Sequence, residues 1–182
     1  MAGAEELARI AAAAAAFAEA GEELRGVLVA ETLGRRVYLC AFESGAGRSW
    51  LALGEDTQPL RDRRLVREAV SLAALCEVAE ESAGGGDLPQ LRARLAELRE
   101  TEAPAGIEEA ETAAALLAET LRPHPRVASQ AYLDAIGAAS RRLEQALGES
   151  GGSPFATAMQ SVFGAVDELA GDVERHHKVG LS

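Results

Sequence analysis

The last predicted helix of the chain carries acidic and imidazole side chains at a spacing that suits a metal ion. Glu168, Asp172 and His176 recur every four residues, so a helix places them on one face. Glu174 and His177 form a Glu-x-x-His pair beside them. Carboxylates and imidazoles are ligands of Zn²⁺ and iron, which makes a metal-binding protein or a metal-dependent enzyme one hypothesis. Di-iron bundles use two such pairs, however, and the alternative is an exposed polar face at a helix end.

A second group of charged residues lies at the start of an earlier predicted helix, at residues 61–67. Backbone N–H groups point outward at a helix N-terminus and attract anions. Arg63, Arg64 and Arg67 therefore form a candidate site for a small anion. The alternative is a solvated helix start that is capped by Asp62.

The cysteines give little support for catalysis. Cys40 and Cys76 both lie within apolar stretches and have no Cys-x-x-Cys partner, which favours buried free thiols. We identify no catalytic constellation in the sequence, so the catalytic residues are unknown, and we expect no cofactor. A protein that is not an enzyme is the favoured interpretation.

The charge balance argues against one large class of partner. The 182 residues include 18 Lys and Arg against 29 Asp and Glu, which gives a net charge of −11. Binding to nucleic acids or to anionic membranes depends on neutralising negative charge, so we expect neither as a partner. Lys178 is the single lysine. Because lysine is missing along the whole chain, we interpret its scarcity as the mark of a GC-rich bacterial genome.

The sequence gives no indication of a targeting or membrane segment. No stretch approaches the roughly 20 apolar residues of a membrane-spanning helix. The first residues lack the basic region of a signal peptide. We therefore expect a cytoplasmic protein.

The elements that would position these residues begin with a helix predicted over residues 4–20. Residues 24–31, 37–42 and 49–53 follow as short apolar runs with glycine-containing turns between them, a pattern typical of a three-stranded antiparallel meander. The middle run is apolar at every position, whereas an antiparallel sheet with one wet face alternates. We therefore expect both faces of the sheet to be covered, by helices of the same chain or by a second subunit.

The rest of the chain, from residue 61 onward, is predicted to be helical. Apolar spacing indicates helices over 62–81, 88–98, 107–121, 129–147 and 155–176. The fold class is therefore α+β and mostly helical, with an N-terminal helix, a three-stranded antiparallel β-meander and an α-helical bundle of about five helices.

The predicted elements suggest two regions. Residues 1–83 hold the first helix, the meander and a core helix, and residues 84–182 form the helical bundle region. We expect the two regions to form one integrated domain.

One of these helices suggests how the chain associates. Four leucines are spaced alternately by three and four residues, as in the seam of a helical hairpin or a short coiled coil: Leu88, Leu91, Leu95 and Leu98. They are candidate interface residues, together with Trp50. We therefore predict first a non-enzymatic protein–protein interaction or oligomerisation module, in the form of a homodimer. A metal-binding protein and a small-anion binder are the alternatives.

Overall fold

The computed structural model describes residues 3–84, 93, 95–97, 100, 107–120, 127–147 and 154–182. Within these ranges it contains α1 (Ala4–Ala15), β1 (Glu23–Thr32), β2 (Arg35–Ser44), β3 (Gly47–Leu53), α2 (Arg63–Gly84), α3 (Ile107–Thr120), β4 (Val127–Ser129), α4 (Gln130–Leu147) and α5 (Pro154–His176). The predicted α+β class, with mostly helical content, is confirmed.

These elements belong to two compact units that are discontinuous in the sequence. The first, here called the sheet unit, comprises Met1–Ala74, His124–Gln130 and Gly164–Ser182. The second, here called the helical unit, comprises Leu75–Pro123 and Ala131–Phe163. Helices α2 and α5 each contribute residues to both units.

The sheet has four strands in the order β3-β2-β1-β4. Strands β1, β2 and β3 pair antiparallel, and Leu33 and Gly34 make the first turn with φ values of 51° and 70°. Two consecutive residues with positive φ are typical of a type I′ hairpin turn, whose twist matches that of the strands. The three predicted strands are therefore confirmed.

The prediction of a sheet with only three antiparallel strands is wrong, because β4 pairs parallel to β1 and makes the sheet mixed. Only Val127, Ala128 and Ser129 form this strand, which is too short for a periodic signal. It forms because backbone groups at the edge of β1 need hydrogen-bond partners, a requirement that the local sequence does not record.

Both faces of β2 are buried, as the apolar run predicted. On one face Tyr38, Cys40 and Phe42 join a core cluster with Ile10 and Ala14 of α1. On the other face lies Trp50, whose indole nitrogen donates a hydrogen bond to a side chain of α5. Helices of the same chain thus lie against both faces, and burial of the sheet needs no second subunit.

Helix α1 ends at Ala15, five residues before the predicted end. The chain must turn here to enter β1, and Gly21 adopts a φ of 85° in the turn. Glu22 stabilises this turn, because its carboxylate accepts a hydrogen bond from the Glu19 amide at 2.8 Å. The turn that leads into β1 thus ends the helix within the alanine-rich stretch, despite the high helix propensity of alanine.

The helical unit has a core of small side chains. Its buried cluster consists of Ala79, Leu95, Ala110, Ala113, Ala114, Leu117, Ile136, Ala139 and Leu143. Alanine allows helices to approach closely, which explains why the inner faces are poor in large residues. Leu95, a predicted interface residue, lies in this core, whereas Leu88, Leu91 and Leu98 lie outside the described residues.

Candidate functional site

The outer edge of β3 is covered by Leu60 and by the first two residues of the segment 177–182, here called the closing segment. The Lys178 amide donates to the Trp50 carbonyl at 2.8 Å, and the Leu60 amide donates to the Ala52 carbonyl at 2.8 Å. The Ala52 amide donates to Nε2 of His177 at 2.9 Å. An edge strand with unpaired backbone groups invites association, so these three bonds close this stretch of the edge.

The geometry around His177 fixes its protonation state. Since Nε2 accepts from the Ala52 amide, the proton of the neutral ring is on Nδ1, which lies 2.6 Å from the Val179 carbonyl and donates to it. Burial lowers the pKa of His177 below its ordinary value, which favours the neutral ring. Both ring nitrogens of this predicted metal ligand are therefore engaged by the protein itself.

The other predicted metal ligands also have protein partners. Asp172 accepts a hydrogen bond from Nε1 of Trp50 at 2.9 Å and lies 3.6 Å from Nε2 of His176. Glu174 pairs with a guanidinium nitrogen of Arg67 at 3.2 Å, and Glu168 is exposed. Within the described ranges, the structure gathers no group of three or more His, Cys, Asp or Glu side chains that could hold a metal ion.

Trp50, a predicted interface residue, is only 4% exposed. Its ring packs within the sheet unit, and its one polar atom is satisfied by Asp172. Its burial agrees with a core position, which is the interpretation that the sequence favours for the aromatic residues of this half of the chain.

The predicted anion site at the start of α2 is partly occupied by the chain. The Arg63 amide donates to the main-chain oxygen of Ser182 at 3.1 Å, and the Leu65 amide donates to the Asp62 carboxylate at 3.2 Å. Asp62 is thus the helix cap that the sequence suggested. Arg63 and Arg64 are exposed, and anion binding by them stays a prediction.

Arg67, the third residue of that predicted site, points its guanidinium at acidic groups of α5. It lies 3.7 Å from Asp167 and 3.2 Å from Glu174. Arg67 therefore pairs with acidic side chains of the same chain and does not form one anion site with Arg63 and Arg64.

The single lysine of the chain takes part in a cluster that sequence reasoning missed. Lys178 forms an ion pair with Glu22, with side-chain exposures of only 7% and 11%. Ser49 donates to the same carboxylate at 2.6 Å, and the lysine nitrogen lies 4.7 Å from the centre of the Phe42 ring. Hydrogen bonds from Lys178, from Ser49 and from the Glu19 amide, in that order of size, lower the pKa of Glu22 to about 2. The cluster ties the closing segment to the sheet, and the uniqueness of Lys178 was its only signal in the sequence.

A second polar cluster joins α1 to the sheet. Arg36 donates to Glu6 at 2.9 Å and to Glu31 at 3.0 Å, and the Tyr38 hydroxyl also donates to Glu6. The hydrogen bonds from Tyr38 and Arg36 lower the pKa of Glu6. Each member of this cluster has a hydrogen-bond partner within it, so the cluster joins α1 to the sheet and stabilises the fold.

The two cysteines are free and buried, as predicted. Burial raises the pKa of Cys40 to about 12, so its thiol stays protonated and is a poor nucleophile.

Residues 148–152 read Gly-Glu-Ser-Gly-Gly and match the Gly-x-Ser-x-Gly nucleophile pattern, which the sequence analysis overlooked. In hydrolases this pattern connects a strand to a helix. Here it follows α4, which ends at Leu147, and precedes α5, which starts at Pro154, so a helix stands where the strand belongs. Ser150 itself lies outside the described residues.

The helical unit contains a groove of about 540 Å³ between α3 and α4. It is lined by Glu108, Glu109, Thr112, Ala113, Leu116, Arg142, Gln145 and Ala146, and these residues define the groove below. The start of α3 lies beside the end of α4, so the two helices run antiparallel. Leu116 is 40% exposed there, although it is a large apolar side chain.

The charged residues of the groove differ from those of the sheet unit. Glu108, Glu109 and Arg142 have no ion-pair partner in the part of the chain that the structure describes. Two carboxylates and one guanidinium thus line the groove without ion-pair partners among the described residues, beside apolar side chains such as Leu116. A groove that holds charged, polar and apolar side chains together is suited to binding another molecule.

Comparisons of the chain with models of protein families, with curated proteins and with solved structures find no match. Among the helices that are described, none combines the length and the apolar character needed to cross a membrane.

Proposed function

We propose that this chain is a non-enzymatic protein–protein interaction module that forms a homodimer through the groove of its helical unit. The observation that carries the proposal is the mixed charge of the groove. Glu108 and Glu109 stand at one wall, Arg142 stands at the other, and Leu116 lies exposed between the helices. A surface that holds both signs of charge is complementary to a second copy of itself.

The surface beside the groove supports close packing of a partner helix. Ala131, Ala135 and Ala138 are exposed on α4, at spacings of four and three residues, and continue to Arg142 four residues later. They therefore lie on one face of the helix. Small side chains on that face allow another helix to approach, and Leu116 supplies apolar area that association would bury.

The proposal agrees with the other properties of the chain. The net charge of −11 supports a protein partner over a nucleic acid. Two buried free cysteines support the expectation of a reducing, cytoplasmic compartment. Because a single groove is small compared with the interfaces of permanent dimers, we expect a dissociation constant in the micromolar range.

Sedimentation velocity over the micromolar range tests the proposal. The wild-type chain should shift from monomer to dimer with concentration, and Leu116→Glu should weaken dimerisation by about tenfold or more, since it places a charge in the buried interface. Leu33→Glu is the matched control, because Leu33 is 57% exposed on a hairpin of the sheet unit. Circular dichroism would confirm that both variants fold.

Two results would contradict the proposal. A wild-type chain that stays monomeric over the whole range excludes the homodimer. Equal weakening by Leu33→Glu and Leu116→Glu would show that the groove is not the surface involved.

A further inference from the structure

We propose that pairing of Glu108 and Glu109 with Arg142 of the partner subunit sets the register of the dimer and its choice of partner. This inference rests on the proposed function, because it concerns the same groove. It specifies the twofold arrangement of the two subunits and the residues that determine this arrangement.

The geometry of the groove decides the arrangement. The start of α3 and the end of α4 lie at the same level of the groove, with Glu108 and Glu109 on one wall and Arg142 on the other. A twofold axis parallel to the groove places each wall of one copy opposite the other wall of the second copy. It leaves the position of every residue along the groove unchanged. It therefore lays α3 of one copy over α4 of the other, and the two carboxylates face the partner's Arg142.

The competing arrangement brings like charges together. A twofold axis across the groove lays α3 of one copy over α3 of the other in antiparallel orientation. Helix α3 contains four glutamates, namely Glu108, Glu109, Glu111 and Glu119, and no lysine or arginine. Glu108 and Glu109 line the groove, and a pairing of α3 with α3 offers them no basic residue of that helix, which disfavours it.

The favoured arrangement forms two sets of opposite charges for each dimer. A guanidinium binds carboxylates with two parallel hydrogen bonds, which fixes orientation as well as charge. Within one chain these groups have no ion-pair partner among the described residues, so dimerisation breaks no internal ion pair. The pairs lie at a solvent-accessible rim, where they contribute more to specificity than to affinity.

A charge exchange between two variants tests the pairing. Arg142→Glu alone and the double variant Glu108→Arg/Glu109→Arg alone should each self-associate about tenfold more weakly than wild type, because each places like charges across the axis. An equimolar mixture should form a heterodimer with an affinity within about threefold of wild type, since every pair is then opposite in charge. A fluorescent label on one variant lets sedimentation distinguish the heterodimer.

Arg141→Glu is the matched control. Arg141 is an exposed neighbour on α4 that does not line the groove, so the same charge change there should leave self-association and the mixing behaviour nearly unchanged. A second readout is salt. Wild-type dimerisation should weaken as ionic strength rises, and Arg142→Gln should reduce that dependence.

The outcomes separate the two proposals. If wild type dimerises but the mixed variants do not recover affinity, the pairing is wrong and the homodimer stands. If Leu116→Glu has no effect while wild type dimerises, the groove itself is wrong. If wild type is monomeric, both proposals fail together.

Discussion

Charged side chains form ion pairs in the sheet unit, whereas those that line the groove of the helical unit do not. In the sheet unit Glu22 pairs with Lys178 and Glu6 pairs with Arg36, so the charges hold distant parts of the chain together. In the groove of the helical unit, Glu108 and Arg142 have no ion-pair partner in the described chain. The first pattern stabilises a shape, and the second offers a surface that another molecule can neutralise.

The two cores differ in the same sense. Among the described residues, five of the nine buried members of the helical core are alanine, against one of eight in the core beside α1. The sheet unit therefore gains its stability from large apolar side chains, whereas the helical unit depends on close approach of small ones. Substitutions that remove side-chain volume should therefore destabilise the sheet unit most. Substitutions that add volume should destabilise the helical unit.

The largest effect is expected in the sheet unit. Phe42 is fully buried and carries the Lys178 ammonium over its ring. Phe42→Ala should lower the free energy of unfolding by about 3–5 kcal/mol, because it leaves a cavity that the strands cannot fill. Guanidinium denaturation followed by the fluorescence of Trp50, the single tryptophan, would measure the loss.

Phe163→Ala is the control for this change, since Phe163 is 67% exposed on α5. It should alter the free energy of unfolding by less than about 0.5 kcal/mol. If both variants lost similar amounts of unfolding free energy, the stability of the sheet unit would not depend on its large buried side chains.

An intermediate effect is expected from added volume in the helical core. Ala114 is 2% exposed, so Ala114→Leu forces helices apart and should destabilise the protein by about 1–3 kcal/mol. Far-UV circular dichroism during thermal unfolding would detect it. Ala115→Leu places the same side chain on the exposed face of α3 and should be nearly neutral. Equal melting temperatures for Ala114→Leu and Ala115→Leu would show that the helices are not closely packed around Ala114.

The smallest effect concerns the closing segment. His177→Ala removes the acceptor of the Ala52 amide and should cost about 1 kcal/mol at neutral pH, since the site is only partly buried. The wild-type protein should also lose stability in acid. Because burial holds the pKa of His177 below 6.5, the unfolded chain binds this proton first. The contribution is complete above pH 6.5 and falls as the pH decreases through that value towards the folded pKa.

The neighbouring His176, with a side chain 51% exposed, provides the control. Chemical denaturation at a series of pH values should show that His176→Ala keeps the acid-side loss of stability below pH 6.5, whereas His177→Ala removes it. A loss that persists in the His177 variant would assign it to other groups.

The sequence predicted most elements, because their signals are local. Short apolar runs with glycine-containing turns indicated the three long strands, and apolar spacing indicated α3, whose Ala110, Ala113 and Leu117 are buried. Leu116 lies outside that buried face and is 40% exposed. An apolar residue at an outward position of α3 was therefore the signal for the groove that the sequence contains.

Only the tertiary structure decided what the charged residues do. The hydrogen bond between Trp50 and Asp172 joins residues 122 positions apart, and the ion pair between Glu22 and Lys178 joins residues 156 apart. No periodicity relates such residues, so the sequence marked Asp172 and His177 as ligands when the fold uses them to hold β3 and the closing segment. Local propensity and apolar period determined the helices and the meander. Contacts between distant segments determined the fourth strand, the end of α1 and the partners of each charge, because those depend on which backbone and side-chain groups would otherwise be buried without a hydrogen bond.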